Sequence, residues 1–481
     1  MVRGGETGGG AGGRGGETGG GAGGCGWRRY DAALAGGIVT GVGRCGMIGP
    51  VRFVFNPPAD TATGLLTLPW RRPLVEWVDD RMVEVRQRGI SRHVVRFATD
   101  GGLVYALKEI NEDLARREYR LLRELKEIGL PVVDVVGVVV DRSADLDAIL
   151  VTELLEFSTS YRALFSNPRG RFNGEQLIDA LVELIVRLHI AGFFWGDCSL
   201  SNTLFRLDAG ALAAYFVDAE TTERHAKLTD GQREYDVDLA RERVAGELFD
   251  LEAAALLPQG LDPIEIADEV VRRYRALWGE LTREETLSPT DQRYRIGLRL
   301  RRLNELGFDA DEVEIVADED GTSRLKLRTR VAEPGHYRRQ LFMRTGLDVG
   351  ENQARRLWSD IASFRGWLEQ REGRPVPETV AANRWLTEVY DPIVASIPPS
   401  LRDRLAPAEV FHEILEHRWF LSEKAGRDIG TTEASRSYFA SILPEVPEQL
   451  TQGDAASTAL RRTPRHLAPD ELSSFRDSRD D

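Results

Sequence analysis

Sulfur is scarce in this chain of 481 residues: its three cysteines, Cys25, Cys45 and Cys198, have neither the pairing nor the spacing of a disulfide framework or a zinc site. A reducing compartment fits. No run of 18 apolar residues occurs, so no membrane-spanning helix is expected. The N-terminus lacks the basic-then-apolar order of a secretory signal, and a cytoplasmic protein is the expectation. Positive charge is outweighed: the formal net charge is -14, and such a field repels nucleic acid and anionic lipid. Lysine is scarcer still, with five (Lys108, Lys126, Lys227, Lys326 and Lys424) among 63 basic residues. Where arginine is the default cation, a lysine closing an apolar strand hints that a compact point charge is required there. The 42% of apolar residues suffice for real cores, and the length for two or three domains.

The chain divides by composition. Residues 1–46 hold two copies of RGGETGGGAGG, almost without side chains to bury, and are expected to be disordered, with Met47 an alternative start. Residues 47–81 read as a lead-in. Short strands are expected over 82–85, 94–99 and 103–110, the last two joined by the turn Asp100-Gly101-Gly102. Asn111 can cap a helix that runs to about Ile128 and stops at Gly129. Strands over 132–140 and 148–153 follow, and Thr152-Glu153-Leu154-Leu155-Glu156 then shifts to loop and helix character, as a hinge would. A long helix over 174–191 leads into Trp195-Gly196-Asp197, a strand pair (203–207 and 214–217) ends at Asp218, and helices extend from Glu234 to about Leu306. Beyond a composition shift near Asp309, a hairpin (312–316 with 323–329) precedes helices over 336–370, 378–396 and 407–424. The polar tail from 446 to 481 is expected to be disordered.

Six residues stand out for their order and settings: Lys108, Glu118, Asp197, Asn202, Asp218 and Glu220. Phosphoryl transfer requires the nucleotide phosphates held, magnesium placed and an attacking hydroxyl oriented. Lys108 ends an apolar strand and would bind the α and β phosphates. Glu118 falls on the inward stripe Leu114, Leu121, Leu125 and Ile128, where a carboxylate needs a cation, and Lys108 is the obvious one. Ala106, on the same strand face as Lys108, is small enough to border an adenine ring, and Glu153 at the hinge joins that nucleotide-binding set. Asp197 and Asn202 lie five apart in a turn after a helix, so that Asp197 can take or orient the acceptor's proton while Asn202 and Asp218 ligate magnesium through oxygen. Glu220 reads either as a second metal contact or as a solvated loop acid. Asp238 reads either as an acceptor of backbone N–H bonds from the catalytic loop or as an exposed acid. His189 and Cys198 read as structural.

Leu188-His189 through Gly192, Gly196-Asp197, Asn202 and Asp218 resemble the protein-kinase-like superfamily, and more closely its lipopolysaccharide-kinase, aminoglycoside-phosphotransferase and RIO-type branches. The whole chain also resembles actinobacterial proteins in which such a portion precedes a domain of unknown function, number 4032. The resemblance implies an α+β bilobal fold with an antiparallel-sheet N-lobe (82–156) and a helical C-lobe (157–308), followed by a mainly helical domain (309–445). It implies ATP with magnesium and a phosphorylated hydroxyl. The pattern departs from typical kinases in three places. Gly89 is a single glycine where three are usual, which assigns phosphate cover to Gly89, Ser91 and local N–H groups. Trp-Gly-Asp replaces His-Arg-Asp, and Asp-Ala-Glu replaces Asp-Phe-Gly. None of these removes a group that transfer requires.

The C-terminal half offers less. His412 and His417 are five apart, which puts them on different helix faces and disfavours a zinc site. Residues 324–330 alternate basic and apolar, one face for water and one for a core. Trp358, Trp367, Trp385 and Trp419 read as core. The expected function is transfer of phosphate from Mg-ATP to a hydroxyl of a small molecule or sugar, with a possible protein partner at the C-terminal domain. Two readings stand beside it: a nucleotide-binding pseudokinase or regulatory scaffold, and a nucleic-acid-binding module in the C-terminal half.

Overall fold

The computed structural model describes residues 51–55, 64–85, 92–143, 145–166, 174–282, 335–446 and, for the backbone alone, 62–63, 285–287, 312–317, 325–330 and 451–452. The glycine-rich repeat, Met47, Gly89, Ser91, the end of the expected helix at Leu306 and nearly all of the tail lie outside these residues, as do the alternating side chains of 324–330.

Six antiparallel strands build the N-terminal sheet: β1 (Arg52–Phe55), β2 (Met82–Val85), β3 (Val94–Asp100), β4 (Leu103–Ile110), β5 (Val135–Val140) and β6 (Ala148–Glu153). Their order is β1-β5-β6-β4-β3-β2, with the two-residue strand Thr451–Gln452 beside β2. Gly101 and Gly102 turn β3 into β4 with φ of +58° and +83°, a left-handed pair that only glycine adopts without strain. Along β4 the pleat sends Tyr105 and Leu107 to one face and Ala106, Lys108 and Ile110 to the other.

The first of those faces is covered by the segment expected to be only a lead-in. Leu65, Leu68, Trp70, Leu74 and Trp77 pack on Tyr105, Leu107, Ile149 and Val151, because an apolar sheet face requires a second layer. Arg142, fully buried, fastens this cover. Its guanidinium donates to the carbonyls of Trp70, Arg72 and Asp147 and to Glu109 Oε1 at 2.6 Å.

On the other face lies α1 (Glu112–Glu127), started by Asn111, whose side chain accepts from Asp113 N at 2.9 Å. The larger core joins α1 to α2 (Gly174–Ile190), the hairpin β7 (Thr203–Asp208) and β8 (Ala211–Phe216), α3 (Asp230–Ala253) and α4 (Pro263–Thr282). The run of helices expected as far as Leu306 is interrupted by a strand, β9 (Glu285–Leu287), placed just ahead of Pro289, a residue that disfavours helix before it. β9 pairs with β11 (Leu325–Arg330), which also pairs with β10 (Glu312–Ala317).

The single helix expected over 336–370 is two, α5 (His336–Thr345) and α6 (Glu351–Glu372), parted where Gly346 takes φ +74° and closes α5. α7 (Glu378–Trp385) passes through a π turn into α8 (Asp391–Ala395), and α9 (Pro407–Ala425) is followed by a further helix, α10 (Thr431–Ser441), beyond those expected. Trp385, Tyr390, Phe411 and Tyr438 centre this second core, and Trp358 packs at its edge. Trp367 and Trp419 do not join it: they are 47% and 60% exposed. The buried residues of α9 end at Ile414, before the helix reaches Trp419.

Replacing Arg142 by alanine strands the Glu109 carboxylate and the carbonyls of the cover, and is expected to cost about 3–5 kcal/mol. Denaturant unfolding of wild type and variant measures it; a loss under about 1 kcal/mol would mean that the cover holds without this residue.

Candidate active site

A buried ammonium on a strand is tolerable only if acids surround it. Lys108 Nζ lies 2.8 Å from Asp218 Oδ2, 3.1 Å from Glu118 Oε2 and 3.9 Å from Glu220 Oε2. β4 supplies the lysine, the inward face of α1 supplies Glu118, and the segment after β8 supplies Asp218 and Glu220. Burial works against the lysine's charge, but Glu118 and Asp218 outweigh it and hold its pKa above the ordinary value. Burial, with Asp218's charge added, pushes the Glu118 carboxyl up to about 8 against the pull of Lys108. Asp218 Oδ1 accepts from the Glu220 N–H at 3.0 Å. Glu220 is half-buried, and its Oε2 is 3.0 Å from Nε2 of His93, just ahead of β3.

Asp197 and Asn202 join the same site through the chain. The Val217 N–H donates to the Asn202 carbonyl at 3.2 Å, and Asn202 Nδ2 donates to Asp197 Oδ2 at 3.1 Å. Two arginines, which the sequence reading did not single out, engage Asp197: Arg243 Nε at 2.9 Å and, from the N-terminal lobe, Arg92 Nη2 at 3.4 Å. Arg92–Asp197, His93–Glu220 and Lys108–Asp218 thus bridge the two lobes.

The loop bearing Asp197 is held by Asp236. Its carboxylate accepts from the N–H groups of Trp195 at 2.7 Å and Gly196 at 2.8 Å, and lies 3.0 Å from His189 Nε2, whose other ring nitrogen is 2.7 Å from the Tyr274 hydroxyl. The role suggested for Asp238 therefore belongs to Asp236. The inward residues of α3 are Arg233, Asp236, Val237, Ala240 and Val244, and the helical period leaves Asp238 exposed. Glu247, also on α3, accepts from the N–H groups of Leu200 at 2.7 Å and Ser201 at 2.9 Å. Cys198 is buried, and burial with the nearby Asp236 charge drives its thiol pKa well up, which leaves it inert.

Ala106 shares the Lys108 face of β4, and Glu153 closes β6 opposite Tyr105, its N–H donating to the Asp134 carbonyl at 2.7 Å. Burial and the charges of Asp134 and Glu156 push the Glu153 carboxyl up to about 7. Among the described residues no three His, Cys, Asp or Glu side chains form a preformed metal cluster. Asn202 and Asp218 offer oxygen donors of the kind that could hold a hard cation. In the C-terminal half, His412 Nε2 is 2.8 Å from Arg356 Nη1 and 3.1 Å from Glu416 Oε1, and His417 Nε2 is 2.9 Å from the Ser437 hydroxyl.

Residues 96–245, which contain Lys108, Glu118, Asp197, Asn202, Asp218, Glu220 and Asp236, match the model of the lipopolysaccharide kinase (Kdo/WaaP) family. Residues 276–443 match DUF4032, a domain of unknown function. The chain carries a kinase-like portion and a DUF4032 portion. By its family match the kinase-like portion is of the phosphotransferase class. One solved structure, WaaP in complex with acyl carrier protein, is similar at 16% identity over 47% of this chain and 89% of that one, with a TM-score of 0.29. No curated protein matches the chain. Among the described residues no helix is long and apolar enough to cross a membrane.

Asp236→Ala leaves two loop N–H groups and His189 without their acceptor and is expected to destabilise the protein by about 3 kcal/mol or more, whereas Asp238→Ala stays within about 0.5 kcal/mol. Equal denaturation midpoints for the two variants would contradict the assignment of the loop anchor.

Proposed function

We propose that the chain is a magnesium-ATP-dependent phosphotransferase acting on a hydroxyl of a small molecule or sugar, in the cytoplasm. The observation that carries this reading is the convergence of Lys108, Glu118 and Asp218 within 3.1 Å contacts, linked through the Asn202 carbonyl to Asp197. In this reading the site spans two lobes, 82–156 and 157–308, and the C-terminal region 309–445 flanks it and can also meet a protein partner.

Bound ATP with magnesium would supply the transferable phosphoryl group and offset its charge. Lys108, kept charged by Glu118, binds phosphate oxygens; Ala106 and the hinge at Glu153 border the base; Gly89 and Ser91 are assigned to phosphate cover. Asn202 and Asp218 hold the metal, and Glu220, drawn to His93 and Lys108, is a secondary contact. Asp197 would orient the acceptor hydroxyl and accept its proton as the new oxygen–phosphorus bond forms and the bond from the γ-phosphorus to the β–γ bridging oxygen breaks, with ADP as the leaving group. For that, the Arg243 and Arg92 guanidiniums must yield part of its carboxylate. Both are more than half exposed, so their pairing with Asp197 is weak and readily exchanged.

The same two arginines favour a second reading, a nucleotide-binding regulator in which Asp197 stays neutralised and no transfer occurs. Comparison of wild type with Asp218→Asn and Asp197→Asn separates the readings. Asp218→Asn is expected to lose magnesium-dependent ATP binding; Asp197→Asn is expected to keep it while turnover falls by about 100-fold or more. Nucleotide binding without turnover in wild type selects the regulator, and equal turnover in all three proteins removes the enzyme.

A further inference from the structure

The kinase-like and DUF4032 portions are joined by two exchanged carboxylates. At the tip of the β7–β8 hairpin, Asp208 accepts from the N–H groups of Asn352 at 3.0 Å and Gln353 at 2.7 Å, in the first turn of α6. Gly350, at the N-cap position just before that helix, has no side chain with which to cap it, so Asp208 does from across the interface what an N-cap residue does locally. In return Glu409, in the first turn of α9, accepts from the N–H groups of Ala209 at 2.9 Å and Gly210 at 2.7 Å. Gln353 Nε2 donates to the Ala408 carbonyl at 3.1 Å and ties the two helix starts to each other. Asp208 is 4% exposed and Glu409 2%. Neither has an arginine or lysine ion pair among the described residues; backbone N–H groups offset the cost of burying both.

The hairpin so gripped is the one that carries the candidate metal ligands. Asn202 immediately precedes β7, Asp218 follows β8 by two residues, and Thr203 pairs with Phe216 at the base. The tip is tightly turned, with Ala209 at φ +57° and Gly210 at φ +76°. Alanine is disfavoured in that left-handed region, so the Glu409 carboxylate helps to hold a backbone that would otherwise relax. The catalytic loop has its own anchors, Asp236 and Glu247 on α3. The hairpin has the C-terminal helices.

We propose that the DUF4032 portion is a brace for the metal-ligand hairpin, with Asp208 and Glu409 as positioning residues that set the spacing of Asn202 and Asp218. The inference rests on the phosphotransferase reading for the role of those two ligands. Because the grip is at the tip, its release loosens the ligand pair while Lys108 keeps its contact with Glu118 and the base-binding strand stays in place.

The test is magnesium titration of adenylyl imidodiphosphate binding to the full chain, for wild type, Glu409→Gln and Gly350→Ala, with exposed Glu423→Gln as control. Glutamine keeps one carbonyl acceptor where the carboxylate had two oxygens. A methyl at Gly350 would come within 2.3 Å of the Asp208 carboxyl and displace it, so the clasp is perturbed from either side and a folding failure of one variant leaves the other. Each clasp variant is expected to need about three- to tenfold more magnesium for half-saturation, with metal-free nucleotide affinity unchanged. Unchanged magnesium dependence in a folded clasp variant, or equal weakening with and without metal, overturns the brace while leaving the phosphotransferase reading intact. Wild type that binds no nucleotide at any magnesium concentration overturns that reading and the brace together.

Discussion

One ammonium group holds the two lobes in register. Lys108 is offered by a strand whose opposite face is sealed by aromatic cover, and it meets acids from a helix of its own lobe and from the loop after the far hairpin. A charge that deep is stable only while Glu118 and Asp218 stay beside it, so the packing of α1 on the sheet, the exit of β8 and the approach of the lobes are all constrained by one point. A neutral residue at 108 would relieve the cost of burying the ammonium but leave Glu118, itself buried, without its cation.

Much of this was legible in the chain. The Asp-Gly-Gly turn, the inward stripe of α1 with a carboxylate on it, and the lysine at the end of an apolar strand each follow from a period or a turn requirement, and together they bring Lys108 to Glu118. Asp197, Asn202 and Asp218 were legible as a spacing; their meeting point with Lys108 depended on a hairpin whose length the apolar run gave only approximately. Asp236 was within reach, since counting inward positions along α3 reaches 236 and passes over 238, but an acid near the start of a helix has a local explanation that competes with a distant one.

What the sequence could not display were contacts without a local signature. The bonds of Asp208 to the N–H groups of Asn352 and Gln353 join residues far apart, and a glycine before a helix reads as a weak start when its cap comes from elsewhere. The cover over the back of the sheet was hidden because 65–77 has neither helical nor strand period; tryptophans and leucines there are placed by the surface they seal. The break between α5 and α6 was carried by Gly346, which marks a helix end only once its left-handed φ is known. Trp367 and Trp419 warn in the other direction, since aromatic residues at helical spacing can face water.

Arg142 binds the carbonyls of the cover to the residue next to Lys108, so strand and cover travel as one solid piece. Beyond β6 the chain crosses from the sheet to the helical lobe. There Phe157 sits at φ +57°, outside the comfortable range of a bulky side chain, so the crossing is made through a strained residue.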